Sequence, residues 1–272
     1  IDRGLVGSEM CIRDSFDMVR FYGGVPLRTA GVTNYGADLD IERASADAIY
    51  AQVASDLNDA YIKLPASNGE FADKYAAKAL LARVHLQLGN YAEALTAAND
   101  VLANSGHSLA SSFAGAFNND SDSSEDIFAF QVTSQDGSNA LVTHYAAMVF
   151  GGRGGDIVVD TYRSLFDSAL DVRRGFFYIS PDSGAICTYK YTNEYGNVPT
   201  LRIGEMHLIR AEANFRLGSS TGLAPLTEIN ALRARSGAPA LTALSLDLIF
   251  NERQLELGFE GHILHDKKRF GK

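Results

Sequence analysis

Apolar residues recur every three or four positions in two long stretches of this chain, and the pattern lapses between them. Ile49, Val53, Leu57, Ala60, Tyr61 and Leu64 mark one helical face. Ser45 is placed as its N-cap, Asp47 complements the dipole in the first turn, and Pro65 stops it. The segment "YAAKALLARVHLQLGNYAEALTAANDVL" follows at 75–102. Ala79, Ala82, Leu86 and Leu88 crowd its first half, and Ala92, Leu95, Ala98 and Leu102 run along the second. Only Gly89-Asn90 joins them. Small residues let two helix backbones approach closely, and Gly89 can end the first helix in the left-handed conformation, so the spacing predicts a helical hairpin. Helical periodicity returns at 201 and persists almost to the end. The predicted helices are 45–63, 72–88, 91–104, 203–218, 223–236 and 245–260.

Elsewhere the pattern is weaker. Residues 105–125 are rich in Ser, Asn, Asp and Gly and read as loop. "DIFAFQV" at 126–132 alternates loosely and predicts a short strand. Residues 133–200 are irregular, with many Gly, Tyr and Phe. In "FDMVRFYGGVPLRTAGV" at 16–32, Gly23-Gly24 and Pro26 favour turns and an extended segment over helix. Residues 1–15, "IDRGLVGSEMCIRDS", show neither periodicity. They contain no apolar signal core, and "GSEMC" lacks the small and aliphatic residues expected before a lipid-modified cysteine. They read as a non-native leader of adapter or vector origin, which leaves 16–272 as a single domain.

The two periodic stretches are related. "ALLARVHLQLG" at 79–89 aligns with "LIRAEANFRLG" at 208–218, matching Ala82 to Ala211, Leu88 to Leu217 and Gly89 to Gly218. Each is followed by a turn and a second apolar-periodic helix. The pattern is a degenerate internal repeat of the tetratricopeptide type, without the usual Trp and terminal Pro. Such repeats stack into partner-binding surfaces, so a protein-interaction scaffold without a small-molecule ligand is one reading.

Composition narrows the function. A chain of 272 residues can bury a large core, and its 46% hydrophobic and 21% charged residues are those of a globular protein. The formal net charge of −9 gives nucleic-acid binding no electrostatic support. No apolar run approaches the roughly 20 residues of a membrane-spanning helix. The two cysteines, Cys11 and Cys187, have no metal-ligand spacing and imply no disulfide framework.

The order of motifs is more specific. "NVPTLRIGEMHLIRAEANFRLG", then "EINALRARSGAP", then "NERQLELGFEGHILHDKKRFGK" follow one another at the C-terminal end, after "FYGGVPLRT", "AAKALLARVHLQLGNYAEAL" and "SSEDIFAFQV". This succession, over about residues 16–272, resembles the SusD/RagB family of nutrient-binding outer-membrane lipoproteins. The resemblance implies a mostly α fold, a SusD-like α-α superhelix of tetratricopeptide-like hairpins with a long irregular loop region and little strand. It implies a fragment truncated at both ends, lacking the lipid-anchored cysteine and part of the ligand site. It also implies a non-catalytic protein without cofactor, held at the cell surface of the outer membrane by its lipid anchor. Such a protein captures an oligosaccharide or other nutrient on its loops and delivers it to a SusC-like TonB-dependent transporter.

Several residues bear on chemistry. Glu252, Arg253, Glu256 and Glu260 are placed on one helix. Paired carboxylates there would suit acid/base work, but pairing with arginines such as Arg202 or Arg210 at a helix contact explains them better. The family commonly has Arg where this chain has Ile263 and an apolar residue where it has Lys267, so the local ion network is expected to differ. His262, His265 and Asp266 could share a helix face, yet they lack the further ligands a zinc site needs, and no metal is expected. Cys187 is read as an incidental thiol. "GGRGG" at 151–155 lacks the P-loop Lys-Ser/Thr and the dinucleotide spacing. Within the family resemblance its glycines would let backbone approach a ligand while Arg153 donates hydrogen bonds. "SNALVTHYAAMVFGG" and "CTYKYTNEYGN" concentrate Tyr145, Phe150, Tyr189, Tyr191 and Tyr195 beside Asn139. Sugars present C–H faces ringed by hydroxyls, so aromatic platforms beside polar groups suit them, although aromatics also fill cores. The candidate ligand residues are Asn139, Tyr145, Phe150 and Arg153.

Overall fold

Each predicted helix has a physical start and stop in the structure, a computed structural model that describes residues 3–29, 41–135, 137–154 and 160–272; the side chains of 3–11, 160 and 161 lie outside that description. Helix α1 spans Arg3–Tyr22 and α2 spans Ala46–Lys63. The Ser45 hydroxyl accepts from the Ala48 N–H at 3.2 Å, capping α2 as the sequence suggests. Helix α3 (Lys74–Leu88) is capped by Asp73, whose carboxylate accepts from the N–H groups of Tyr75 and Ala76. Gly89 closes it with φ of 76°, and α4 (Tyr91–Asn104) turns back along it.

The second hairpin repeats this design. Helix α7 (Ile203–Leu217) ends at Gly218 with φ of 64°, and Pro225 opens α8 (Pro225–Arg235). Helix α4 packs against both α3 and α7, so the two hairpins stack although about 100 residues separate them in sequence. Ala79, Ala82, Ala94, Ala97 and Ala98 are fully or almost fully buried at these contacts. Met206 and Ile209 of α7 join this main core, and Leu208 and Ala211 join a second with Ile229, Leu232 and Leu257. The mostly α fold of helical hairpins with little strand is therefore present.

The inserted segment is a loop layer over the helices. Strand β1 (Asp126–Phe130) lies where alternation predicted it and pairs antiparallel with β4 (Val198–Arg202). Within the layer are two short helices, α5 (Ala140–Tyr145) and α6 (Asp160–Arg163), and a small hairpin of β2 (Phe177–Ile179) and β3 (Ile186–Thr188).

Three expectations need correction. Residues 16–22 are helical, not extended: Ile12, Phe16 and Val19 bury one face of α1, and Gly23 (φ 72°) merely ends it. The helix also takes in residues 3–15, where the sequence pattern predicts none. Finally, α9 covers Leu246–Leu257, so Glu260 does not share its helix. The chain turns at Gly258–Gly261 into α10 (Ile263–Phe270). Gly258 is required there, because a Cβ would sit 2.4 Å from the Tyr162 hydroxyl.

Candidate functional site

Of the sequence-selected residues, Tyr145 and Phe150 meet on one buried cluster, while Asn139 caps the short helix that ends in Tyr145. Asn139 caps α5 through an Oδ1 bond from the Val142 N–H at 2.9 Å, and its Nδ2 donates to the carbonyls of Asn193 and Gly196. Both polar ends of Asn139 therefore serve the fold. Tyr145, at the end of α5, is half-buried. Its ring lies 5.2 Å from Tyr191 and 6.0 Å, edge on, from Phe259. Phe150 is also half-buried and meets Tyr178 edge to face at 5.1 Å. Both rings pack on the same buried cluster of Val142, Ala146 and Tyr191. Arg153 is exposed, and its backbone N–H donates to the Thr143 carbonyl.

The other loop aromatics divide into core and surface. Tyr191 is buried and donates its hydroxyl to the Phe259 carbonyl at 2.9 Å. Tyr189 stacks at 4.8 Å from Tyr178 and continues toward Phe176, Phe113 and Phe117, a small aromatic core under the loops. Tyr195 is 40% exposed. Thus Tyr145 and Phe150 form the half-open rim of a secondary core rather than free-standing platforms.

"GGRGG" does not approach a ligand through Gly152. A Cβ there would stand 1.9 Å from the Ala146 carbonyl oxygen, so this glycine serves the chain's own close approach. Gly155 lies outside the described residues.

The carboxylates that invited an acid/base reading are bound by arginines. Glu252 accepts from Arg173 at 2.7 Å and Arg233 at 3.1 Å. Glu256 accepts from Arg235 at 2.6 Å and Arg173 at 3.3 Å. Glu260 accepts from Arg202 and Lys190. Arg210 instead pairs with Glu228. Burial acts to raise Glu260, but Arg202 and Lys190 hold it down to about 2. At that value Glu260 is neither a proton donor nor a useful base near neutrality. Ile263 and Lys267 are both exposed, outside this network.

The histidines do not gather as ligands. His265 meets the Phe21 ring edge on at 4.8 Å, and burial pushes it down to about 4. His262 is held well below its usual value by burial and by Arg83 and Arg253. Asp266 is taken by Arg253 and Arg269, both at 2.9 Å. Among the described residues no three His, Cys, Asp or Glu side chains converge. Cys187 is buried.

Sequence reasoning missed a cavity of about 230 Å³ beside Tyr145, walled by Tyr162, Arg253, Phe259, His262 and Ile263. Its signal was faint, since a Phe between two glycine turns reveals no cavity. Phe259 adopts φ of 68°, a conformation a bulky residue rarely takes. A second, apolar cavity of about 220 Å³ lies by β1, between Phe71, Phe128 and Phe130. Among the described residues no helix is long and apolar enough to cross a membrane.

Comparisons with known proteins agree with this architecture. The family model described as "SusD family" matches residues 183–272, and another, "Starch-binding associating with outer membrane", matches residues 15–86. A SusD superfamily protein from Bacteroides thetaiotaomicron VPI-5482 superposes with a TM-score of 0.81 at 23% identity, over 98% of this chain and 66% of that one. A putative sugar binding protein from Bacteroides vulgatus ATCC 8482 gives 0.83 at 24% identity, over 96% and 63%. A laminarin binding SusD-like protein gives 0.80 at 22% identity, over 96% and 69%. The chain thus spans about two thirds of the length of these proteins. No curated protein matches it.

Proposed function

The chain belongs to the SusD/RagB family, and we propose that it is a non-catalytic binder of oligosaccharide or another nutrient at the outer-membrane surface. In this reading the stacked hairpins are a rigid support that docks on a SusC-like TonB-dependent transporter. The loop layer captures the ligand and passes it on, and a lipid anchor carried by the full-length protein holds it at the membrane. The observation that carries the reading is the half-open aromatic rim of the loop layer, with Tyr145 and Phe150 on one buried cluster and exposed Arg153 on the turn that follows in sequence. Loops on a rigid scaffold are where binding sites concentrate.

An aromatic face contributes roughly 0.5–1.5 kcal/mol beyond area burial, if sugar stacking follows aromatic pairing. Affinity for one isolated domain is then modest, and retention depends on closure against the transporter. Calorimetry of the full-length protein with laminarin- and starch-derived oligosaccharides tests this. Tyr145→Ala and Phe150→Ala should each weaken binding by about two- to tenfold in a protein that still folds, with a lowered melting temperature because each half-buried ring also packs on the cluster. Normal binding by both variants places the site elsewhere, and unfolding of both makes these rings purely core.

A further inference from the structure

One turn of the loop layer carries two side chains that the fold leaves largely unengaged. Residues 193–196, Asn-Glu-Tyr-Gly, close tightly: the Gly196 N–H donates to the Asn193 carbonyl, and the Tyr195 N–H donates to Asn193 Oδ1, both at 3.2 Å. Asn139 clamps the turn from the start of α5. Its Nδ2 donates to the carbonyls of Asn193 and Gly196, and its backbone N–H donates to that of Glu194. Asn193 is bonded in turn to Asn118 and Asp120. The backbone is therefore fixed, and its two central residues are Glu194 and Tyr195.

These two differ from the other polar and aromatic groups of the layer. Tyr145, Phe150, Tyr178, Tyr189 and Tyr191 each pack on another ring. Tyr195 is 40% exposed and has neither a ring partner nor a hydroxyl partner among the described residues. Glu194 accepts from the Ser138 hydroxyl through Oε1. Its Oε2 has no hydrogen-bond or ion-pair partner among the described residues and is not buried. Gly151 makes room for this carboxylate, since a Cβ there would stand 2.3 Å from Glu194 Cγ and Cδ. Glu194 thus lies against the backbone of the residue that follows Phe150.

A free carboxylate oxygen accepts charge-assisted bonds from hydroxyls, and an aromatic ring beside it covers C–H surface. Local charge then selects the ligand. The segments that meet at this turn contribute Glu194, Asp120, Asp122 and Asp182 against Arg153 and the imidazole of His144. Lys190 is taken by Glu260. The excess is negative, so an anionic sugar is disfavoured. A metal ion finds no site, because no three His, Cys, Asp or Glu side chains converge among the described residues.

We propose that Glu194 and Tyr195 form a subsite for a neutral sugar ring, with vicinal hydroxyls on Glu194 Oε2 and the C–H face on Tyr195, and that it excludes uronates. The assignment rests on the glycan-binding reading for its ligand class and adds the residues that select the sugar.

Affinity electrophoresis of the full-length protein tests it, in gels containing starch, laminarin or galactomannan, with polygalacturonate as the acidic counterpart. At least one neutral polymer should retard the protein, and polygalacturonate should not. Glu194→Gln keeps the side chain's size and removes its charge. It should raise the apparent Kd about five- to tenfold, the difference between a charge-assisted and a neutral hydrogen bond. Tyr195→Ala should raise it about two- to tenfold. Neither substitution removes a core contact, so the melting temperature should move little. Undiminished binding by either variant, or retardation by polygalacturonate as strong as by the neutral polymers, would overturn the assignment. If Tyr145→Ala and Phe150→Ala weaken binding in that case, the rim reading stands without this turn. If no polymer retards the protein, both fall.

Discussion

Replacing Arg202 with Met tests whether buried charge holds the loop layer to the helices. Arg202 is the last residue of β4, immediately before α7, and it is almost fully buried. Its Nε and Nη2 donate to the two oxygens of Glu260, each at 2.9 Å, and its Nη1 donates to Glu125 at 2.6 Å. Glu256 is a looser partner at 3.3 Å. Methionine keeps much of the apolar stem and removes the charge. Deleting one member of a buried ion pair typically costs about 3–5 kcal/mol, because the other is left uncompensated. Here each carboxylate retains a cation: Arg235 for Glu125 and Glu256, and Lys190 for Glu260. The loss should therefore fall near the lower end, about 3 kcal/mol.

For a domain of this size that is a fall of about 6–12 °C in melting temperature. Thermal melts by circular dichroism and urea titrations by tyrosine fluorescence, which the absence of Trp makes clean, measure it. The loss should persist at about 0.5 M salt, because buried pairs are poorly screened. A loss under about 1 kcal/mol, the scale of an exposed pair, or one erased by salt, would refute the argument.

Other substitutions address other links. His265 titrates in the fold at about 4, below its unfolded value, so stability should fall as pH drops from about 6.5 to about 4. His265→Phe should flatten that limb in a pH series of urea midpoints. Asp126 has the opposite sign: burial raises it to about 6, so its contribution falls as pH rises from about 3.8 to about 6, and Asp126→Asn should remove that slope. Gly152→Ala should cost about 1–3 kcal/mol by driving a methyl into the Ala146 carbonyl, and should weaken glycan binding; unchanged stability and binding would show the loop to be loose. Gly89→Ala should cost about 1 kcal/mol in a denaturant titration, since Ala resists the left-handed cap.

The helices were legible because their signals are local. Ser45, Gly89 and Gly218 each act at a helix end in the way their chemistry suggests. Helix α1 departs from the extended expectation because Gly23-Gly24 marks only where the chain turns, not the residues before it. Glycine in the left-handed region ends a helix, and the spacing of Ile12, Phe16 and Val19 was already helical. The loop layer was illegible for the opposite reason. Asn118, at φ of 62°, donates to the Tyr189 carbonyl and accepts from the Thr192 and Asn193 N–H groups, more than 70 residues away. No periodicity records such bonds. Asn139 looked like a ligand group and is a helix cap, because a carboxamide suits both tasks.

The charged residues that first suggested chemistry explain how such a layer stays in place. Arg173 comes from the loops, Arg202 from β4 and Arg235 from α8, and all three converge on Glu256 of α9. Glu125, beside β1, ties Arg202 to Arg235 again. A hydrophobic contact would hold these segments without fixing their register, whereas planar guanidinium forks accept only a narrow range of positions. The network thus sets where the loops leave the hairpins. The Tyr145 rim belongs to the loop layer that these joints position, packed on Tyr191 beside the Lys190–Glu260 pair. A fold arranged in this way can change what its loops bind while its helices and their ionic joints stay the same.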